Sequence, residues 1–273
     1  MTRSARRTRR ALRTTGVAAG LLALSACSSS GPGPDPAASG SSAASSGKIS
    51  GTVTVFAAAS LKESFTALGE RFEEEHPGTG VVFNFGGSDT LAAGITAGAP
   101  ADVFAAASAR TMRTVTDREG ATGVPAVFAR NRLEIATLPG NPDRITSLKD
   151  LAGSGLKVVL CDKEVPCGAA ARKALDAAGV KLAPVSYEQD VRSALTKVEL
   201  KEADAALVYG TDVRAAGDKV EGVEFPESAE ALNDYPIARL RSAPNPAAAE
   251  AFIALVRSAE GQRTLARAGF LEP

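Results

Sequence analysis

The sequence predicts an α/β fold with two lobes. Short β-branched runs alternate with amphipathic helical patterns, which favours lobes built on largely parallel sheets. The part of the chain after residue 47 is long enough for two lobes of ordinary domain size. Ligands of such sheets collect at the carboxyl ends of strands, where helices begin. A binding site is therefore expected where strands pass into helices.

The first 26 residues have the pattern of a secretory signal. Six arginines and no acid in the first thirteen positions precede an uncharged run over 14–26, which is too short to span a bilayer as a mature helix. The run ends in Leu-Ser-Ala-Cys at 24–27. This ending resembles a bacterial lipobox, which implies removal of residues 1–26 and lipidation of Cys27. Arg9 and Arg10 fit twin-arginine export as well as an ordinary secretory signal, so both routes stay open.

Residues 27–47 are predicted to be the lipidated cysteine and a flexible tether. Every residue from Ser28 to Gly47 except Asp35 is Ser, Gly, Pro or Ala. Such a composition cannot bury a core. The folded part is therefore expected to begin at about residue 48.

The charge balance argues against a nucleic-acid partner. Removal of the six signal arginines lowers the basic count from 31 to 25 against 31 acidic residues, a formal net charge of −6. No basic surface for nucleic acid is apparent. Any bound anion must be held by local dipoles against a mildly unfavourable overall field.

Strands and helices alternate through the folded part. Strands are predicted over residues 52–56, 81–85, 102–106, 133–137, 157–161, 205–209 and 235–240. Helices are predicted after Ser60, Ser88, Ser108, Cys167, Asp190 and Thr211, and near the C-terminus from Asn245 and Gly261.

The first helix start follows a strand through three alanines. In T-V-T-V-F-A-A-A-S-L, Ser60 stands at the position of an N-cap, and Leu61, Phe65, Leu68 and Phe72 follow at helical spacing. The alanines leave room beside a helix terminus whose free N–H groups favour negative charge. An anion could dock there.

Further strands lead to similar starts. Gly86 and Gly87 allow a tight turn before Ser88, which is predicted to cap a helix over 89–97. A later strand ends in Tyr209, which can offer its phenolic hydroxyl. These groups are neutral hydrogen-bond donors.

Two helix starts lie between these. Pro166 orders the approach to a helix that the N–H groups of Cys167 and Gly168 open. Asp190 is the predicted cap of the next helix, with Val191 in its first turn. The arrangement of strand, turn and helix N-terminus thus recurs several times.

Cys161 and Cys167 remain as an even pair if Cys27 carries the lipid. In an exported protein they are expected to form a disulfide, and two free thiols are the alternative. His76 is the single histidine and no nucleophile-elbow motif is present, so a Ser/His hydrolase is unsupported.

Six blocks over residues 49–270 stand together in one order: F-A-A-A-S-L (56–61), G-S-D-T-L (87–91), G-A-P-A-D-V-F (98–104), V-P-C-G (165–168), D-V-R-S-A-L (190–195) and V-Y-G-T-D (208–212). In these blocks the chain resembles the molybdate-binding proteins, the substrate-capture component of molybdate ABC transporters.

The chain departs from the family pattern at three positions. The family often has alanine at the position of Cys167, a neutral small residue at Asp89 and glutamine at Gly94. Asp89 is expected to point away from the ligand and to support the helix N-terminus.

The resemblance implies a bilobed periplasmic-binding-protein-like fold, with a ligand cleft between two α/β lobes and two chain crossings, near Phe128 and Asn233. Lobe one would comprise residues 48–128 and 234–273, and lobe two residues 129–233. The ligand-binding residues implied by the resemblance are Ser60 and Ser88 from lobe one and Cys167, Val191 and Tyr209 from lobe two.

The resemblance also implies a function. The protein would be an extracytoplasmic lipoprotein, anchored at the outer face of the cell membrane through Cys27, that captures molybdate and tungstate for an ABC permease with its ATPase. We expect a monomer without cofactor, directly coordinated metal, nucleic-acid partner or enzymatic activity. The alternatives are the same fold binding sulfate or phosphate and, from other classes, an anion-handling enzyme or a lipoprotein adhesin.

Overall fold

The computed structural model describes residues 49–273. The predicted signal over 1–26, the lipidation of Cys27 and the tether up to residue 47 lie outside these residues. Among residues 49–273, no helix is both long and apolar enough to cross a membrane.

Ten strands and eight α-helices make up the described part of the chain. The strands are β1 Gly51–Ala58, β2 Thr79–Gly86, β3 Val103–Ala105, β4 Ala121–Asn131, β5 Leu133–Thr137, β6 Val158–Cys161, β7 Ser186–Glu188, β8 Ala205–Tyr209, β9 Glu221–Val223 and β10 Asn233–Leu240. The helices are α1 Lys62–Glu75, α2 Ser88–Thr96, α3 Ala109–Thr116, α4 Pro166–Ala177, α5 Val191–Glu199, α6 Gly210–Ala216, α7 Pro246–Arg257 and α8 Ala259–Ala268.

The strands form two five-stranded sheets, and each sheet is the centre of one lobe. The sheet of lobe one has the order β2-β1-β3-β10-β4, and the sheet of lobe two has the order β7-β6-β8-β5-β9. The lobe-one sheet carries α1, α7 and α8 on one face and α2 and α3 on the other. In lobe two, α4 and α5 pack against the sheet. The two mixed sheets confirm the predicted α/β class and bilobed architecture.

The expectation of largely parallel sheets is wrong. β1 pairs in parallel with β2 and β3, and β6 with β7 and β8. β10 and β5, however, pair antiparallel with both of their neighbours. β5 and β10 are the strands by which the chain enters each sheet from the other lobe. A crossover helix within the same sheet, which makes neighbouring strands parallel, therefore does not set their direction.

The chain passes between the lobes twice, and the two passages are adjacent. It leaves the first sheet after Asn131, and it returns to that sheet at Asn233. These two residues are paired partners in the β4 and β10 ladder.

Apolar alternation along the central strands explains the core of lobe one. Val53 and Val55 of β1 are fully buried against α1 and α7, where Phe65, Phe72 and Phe252 pack. The opposite face of the same sheet buries Phe56 and Phe104 against α2 and α3. A sheet buried on both faces holds the ends of its strands in fixed positions.

Candidate anion-binding site

One cavity lies between the lobes at the ends of strands β1, β2 and β8. All five residues predicted to bind the ligand line it. Small residues make up much of the remaining wall, so backbone groups can approach a ligand closely. None of the described residues that line the cavity is Lys or Arg. The residues predicted to bind the ligand are Ser60, Ser88, Cys167, Val191 and Tyr209.

Ser60 lies in a short 3₁₀ turn, Ala59–Leu61, between β1 and α1. The predicted N-cap at Ser60 is wrong, because α1 begins at Lys62 and Leu61 takes the cap position without a side-chain hydrogen bond. The Ser60 hydroxyl instead lies 2.8 Å from the hydroxyl of Tyr235 on β10. The buried tyrosine therefore fixes the serine hydroxyl at the cavity wall.

Ser88 is the first residue of α2, and the predicted cap at this residue is also wrong. Gly87 takes the N-cap position, and the Ser88 hydroxyl accepts a hydrogen bond from the backbone N–H of Ala107 at 3.0 Å. Ala107 follows β3, so the contact joins the ends of two strands. The hydroxyl is held by another strand end rather than by its own helix.

Cys167 lies in the first turn of α4, directly after Pro166. A disulfide joins it to Cys161, the last residue of β6, with the two Cα atoms 5.8 Å apart. Gly168 is packed tightly here, because a Cβ added to it would lie 1.9 Å from the carbonyl oxygen of Asp162. The disulfide and the glycine together bring the helix N-terminus against the strand that precedes it.

Replacing both Cys161 and Cys167 with alanine should lower the free energy of unfolding by about 2 kcal/mol, because the short disulfide loop restricts the unfolded chain. For a chain of this size we expect a fall in Tm of about 4 to 8 °C. Thermal unfolding with and without dithiothreitol tests this. The reductant should lower the Tm of the wild type to that of the variant and leave the variant unchanged. A wild type and a variant with equal Tm would contradict the prediction.

Val191 is the first residue of α5, and the predicted cap before it is confirmed. The Asp190 carboxylate accepts hydrogen bonds from the backbone N–H of Ser193 at 2.9 Å and from the Ser193 hydroxyl at 3.2 Å. Capping by the side chain leaves the N–H groups at the start of α5 directed at the cavity end of the helix.

Tyr209 ends β8 and is almost completely buried. Its hydroxyl accepts a hydrogen bond from Asn233 Nδ2 at 3.0 Å, and the same amide donates to the carbonyl of Ala107 at 2.7 Å. Burial raises the pKa of the Tyr209 hydroxyl well above its ordinary value. The hydroxyl therefore keeps its proton and can donate it in a hydrogen bond.

Sequence reasoning missed the polar groups behind the cavity wall. Tyr235 contacts the hydroxyl of Ser60, and Asn131 Nδ2 lies 3.4 Å from the Tyr235 hydroxyl and 2.8 Å from Thr211 Oγ1. The one available signal was N-D-Y-P over 233–236, which places polar groups at the predicted chain crossing. These side chains connect the two lobes through buried hydrogen bonds.

Asp212 was also missed as a residue of the site. It lies in the first turn of α6, its Oδ2 accepts the backbone N–H of Tyr209 at 3.1 Å, and among the described residues its Oδ1 has no hydrogen-bond partner. Burial raises the pKa of this carboxyl to about 7, against a lowering effect of Arg192. A carboxyl that titrates near neutral pH thus lies behind Tyr209.

Asp89 lies in the first turn of α2 and does not line the cavity. Burial raises the pKa of its carboxyl, while the backbone N–H groups of Asp89 and Thr90 and the charge of Arg110 lower it. Its Oδ1 is buried and has no hydrogen-bond partner within residues 49–273.

The lobes also touch outside the cavity. Arg192 of α5 pairs with Glu63 of α1 at 2.8 Å. Arg110 of α3 donates a hydrogen bond to the carbonyl of Glu164, which precedes α4. The two lobes therefore meet at the rim of the cleft as well as around the cavity.

Known proteins are similar to this chain in sequence and in fold. Residues 53–271 match the family profile described as bacterial extracellular solute-binding protein. The chain is 43% identical over 261 residues to the molybdate-binding protein ModA of Mycobacterium bovis, covering 95% of this chain and 97% of that protein. It is 34% identical over 234 residues to ModA of Escherichia coli, covering 81% and 89%. The fold matches the periplasmic molybdate-binding protein of Azotobacter vinelandii with a TM-score of 0.71 at 22% identity, covering 81% and 99%. The chain therefore belongs to the bacterial extracellular solute-binding proteins and, among them, to the molybdate-binding protein family that its six sequence blocks resemble.

Proposed function

We propose that this protein binds molybdate, and tungstate with it, outside the cytoplasm and delivers the anion to the permease and ATPase of an ABC transporter. The observation that carries the proposal is the meeting of five neutral donor residues at one cavity between the lobes. Family membership supports the same class of ligand.

The chemistry of the donors suits a tetrahedral dianion. Ser60 and Ser88 offer hydroxyl and backbone N–H groups, Cys167 and Val191 offer backbone N–H groups in the first turns of α4 and α5, and Tyr209 offers its hydroxyl. Each hydrogen bond to a charged group contributes about 1.5 to 3 kcal/mol. Molybdate is fully deprotonated at neutral pH, so it can accept such bonds on every oxygen. Several together support tight binding without Lys or Arg in the wall.

The division of the donors between lobes supports a closing motion. Two of the five residues belong to lobe one and three to lobe two, so the anion gains all of its contacts only when the lobes are together. A ligand shifts a conformational equilibrium by its differential affinity for the two states. Bound anion therefore favours the closed form.

The N-terminal pattern supports a place at the membrane surface. Lipidation of Cys27 would hold a monomer at the outer face of the cell membrane. The protein acts as a carrier and not as an enzyme in this proposal.

Sulfate and phosphate are the alternative ligands of the same cavity. Hydrogen phosphate carries a proton that needs an acceptor. Both oxygens of Asp190, the one carboxylate among the lining residues, already accept hydrogen bonds from Ser193, and Asp89 lies outside the lining. A fully deprotonated anion therefore fits this wall better than hydrogen phosphate.

A thermal-shift panel of molybdate, tungstate, sulfate and phosphate tests the proposal. At a concentration of about one hundred times Kd, molybdate and tungstate should raise Tm by about 5 to 10 °C. A shift with sulfate or phosphate alone would favour the alternative. The absence of a shift with any of the four anions would reject an oxyanion carrier.

Replacing Tyr209 with phenylalanine should weaken molybdate binding about tenfold to a hundredfold, because the variant lacks the phenolic hydrogen-bond donor to the anion. Calorimetric titration of wild type and variant measures the change. Tyr187→Phe is the matched control, because Tyr187 is exposed on the edge strand β7 away from the cavity. The control should bind as the wild type does. Unchanged affinity of Tyr209→Phe would refute the role of this hydroxyl.

A further inference from the structure

Asp212 is a buried carboxyl that the proposed binding mode does not use. Only 1% of the residue is exposed. Its Oδ2 is bonded to the backbone N–H of Tyr209, while Oδ1 has no hydrogen-bond partner in residues 49–273. Tyr209 itself lines the anion cavity. A single residue therefore stands between this carboxyl and the space that the anion would occupy.

The charges around Asp212 do not neutralise it. Among the described residues Arg192 is the one cation that lowers its pKa, and this effect is smaller than that of burial. Nη2 of Arg192 is paired with Glu63, and its buried Nη1 has no hydrogen-bond partner in residues 49–273. Glu63 and Asp190 are acids that disfavour its ionised form. The charged and titratable groups that act on Asp212 from the packed elements are Arg192 of α5, Asp190 at the cap of α5, Glu63 of α1 and the hydroxyls of Tyr209 on β8 and Tyr235 on β10.

A dianion in the cavity would add two negative charges beside this group. No Lys or Arg lines the cavity among the described residues, so no cationic side chain in the wall offsets the repulsion between the anion and an ionised Asp212. Protonation removes that repulsion. Because Oδ2 holds the N–H of Tyr209, the free Oδ1 is the oxygen that can take the proton.

We propose that Asp212 is a positioning residue of the anion cavity whose carboxyl takes up a proton from solution when the dianion binds. This inference rests on the proposed function, since it needs an anion in the cavity. One proton moves from the buffer to Oδ1, and the complex gains one negative charge less than the ligand brings. The hydrogen bond from Tyr209 to Oδ2 is kept in both states, so the tyrosine stays in place.

Because anion binding and protonation of Asp212 favour each other, the affinity for the anion must fall as the pH rises. The carboxyl of the free protein titrates near its pKa of about 7. If the anion raises this pKa by about one unit, binding at pH 7 takes up about 0.4 proton and affinity falls about tenfold from pH 6 to pH 9. Below pH 6 the carboxyl is protonated with and without the anion, so binding is strongest there. Molybdate has no proton of its own to exchange in this range.

Calorimetric titration with molybdate in buffers of different ionisation enthalpy, none of them phosphate, measures the proton uptake. The wild type should take up about 0.4 proton at pH 7. Asp212→Asn, which keeps the shape and an acceptor for the Tyr209 N–H, should take up none and should bind with the same affinity from pH 6 to pH 9. Asp89→Asn is the matched control, because its carboxyl is also raised in pKa by burial but lies outside the cavity lining. This control should keep the uptake.

The outcomes separate the two proposals. A wild type that does not bind molybdate at any pH rejects the proposed function. A wild type that binds without proton uptake rejects the role of Asp212, whether or not the variant folds. Uptake that persists in Asp212→Asn, or that is lost in Asp89→Asn instead, also rejects that role.

Discussion

Replacing Gly87 with alanine is expected to weaken molybdate binding about tenfold to a hundredfold while the fold stays intact. Gly87 has φ −59°, a conformation that alanine adopts without strain. A Cβ at this position would lie 2.4 Å from the carbonyl oxygen of Gln189, which belongs to the other lobe. Overpacking costs about 1 to 3 kcal/mol, and each 1.4 kcal/mol is tenfold in affinity. The clash is relieved when the lobes separate, and separation also moves the donors apart.

Calorimetry and thermal unfolding together test the Gly87→Ala prediction. The Tm without ligand should stay close to that of the wild type, because open lobes avoid the clash. Gly94→Ala is the matched control, since it adds the same methyl group to the same helix with its nearest neighbouring atom at 3.9 Å. The control should bind normally. Wild-type affinity in Gly87→Ala would mean that the bound state does not bring Gly87 and Gln189 together.

Replacing Gly168 with alanine is expected to lower the free energy of unfolding by about 3 kcal/mol or more. The added Cβ would lie 1.9 Å from the carbonyl oxygen of Asp162 and 2.6 Å from that of Cys161. Both are backbone atoms of the same lobe, and the adjacent disulfide restrains them. Overpacking of this kind cannot be relieved by a side-chain rotation or by a movement of the lobes.

The Tm of Gly168→Ala should be lower by about 6 to 12 °C without ligand, as a chain of this size loses about 2 to 4 °C for each kcal/mol. Molybdate affinity should fall as well, because the start of α4 must move with Cys167. Gly94→Ala again supplies the control. The two alanine variants thus differ in kind, since Gly87→Ala loses affinity alone and Gly168→Ala loses affinity and stability. A Gly168→Ala protein with wild-type Tm would contradict the packing of this turn.

The central strands and the helices could be predicted because their apolar periodicity is local. All seven predicted strands and all eight predicted helices are present, with shifts of a few residues at their ends. The missed strands β4, β7 and β9 lie at sheet edges. Two of these have three residues each, and β4 contains Gly123 and Pro125, which argue against a strand in a sequence. Edge strands are held by pairing with distant partners, which no local pattern records.

The cavity residues could be named in advance, whereas the groups that hold them could not. Ser60 and Ser88 were expected to bond within their own helices, yet their hydroxyls bond to Tyr235 and to the N–H of Ala107. The partner of Ser60 is 175 positions away in the chain. Such contacts arise only when separate strands end at the same place. Asp212 was missed as a site residue for the same reason, since the charged groups that act on it, Arg192 of α5 and Glu63 of α1, come from distant parts of the chain.

The pairing of Asn131 with Asn233 has a mechanical consequence. Both connections between the lobes leave the lobe-one sheet at the same end of the β4 and β10 ladder, so a rotation of one lobe against the other bends both of them at one place. The two lobes should therefore rotate about a single hinge axis at this end of the ladder. Such a rotation needs no break in the hydrogen bonds between β4 and β10. The lobes can therefore open and close repeatedly without a change in the pairing of these two strands.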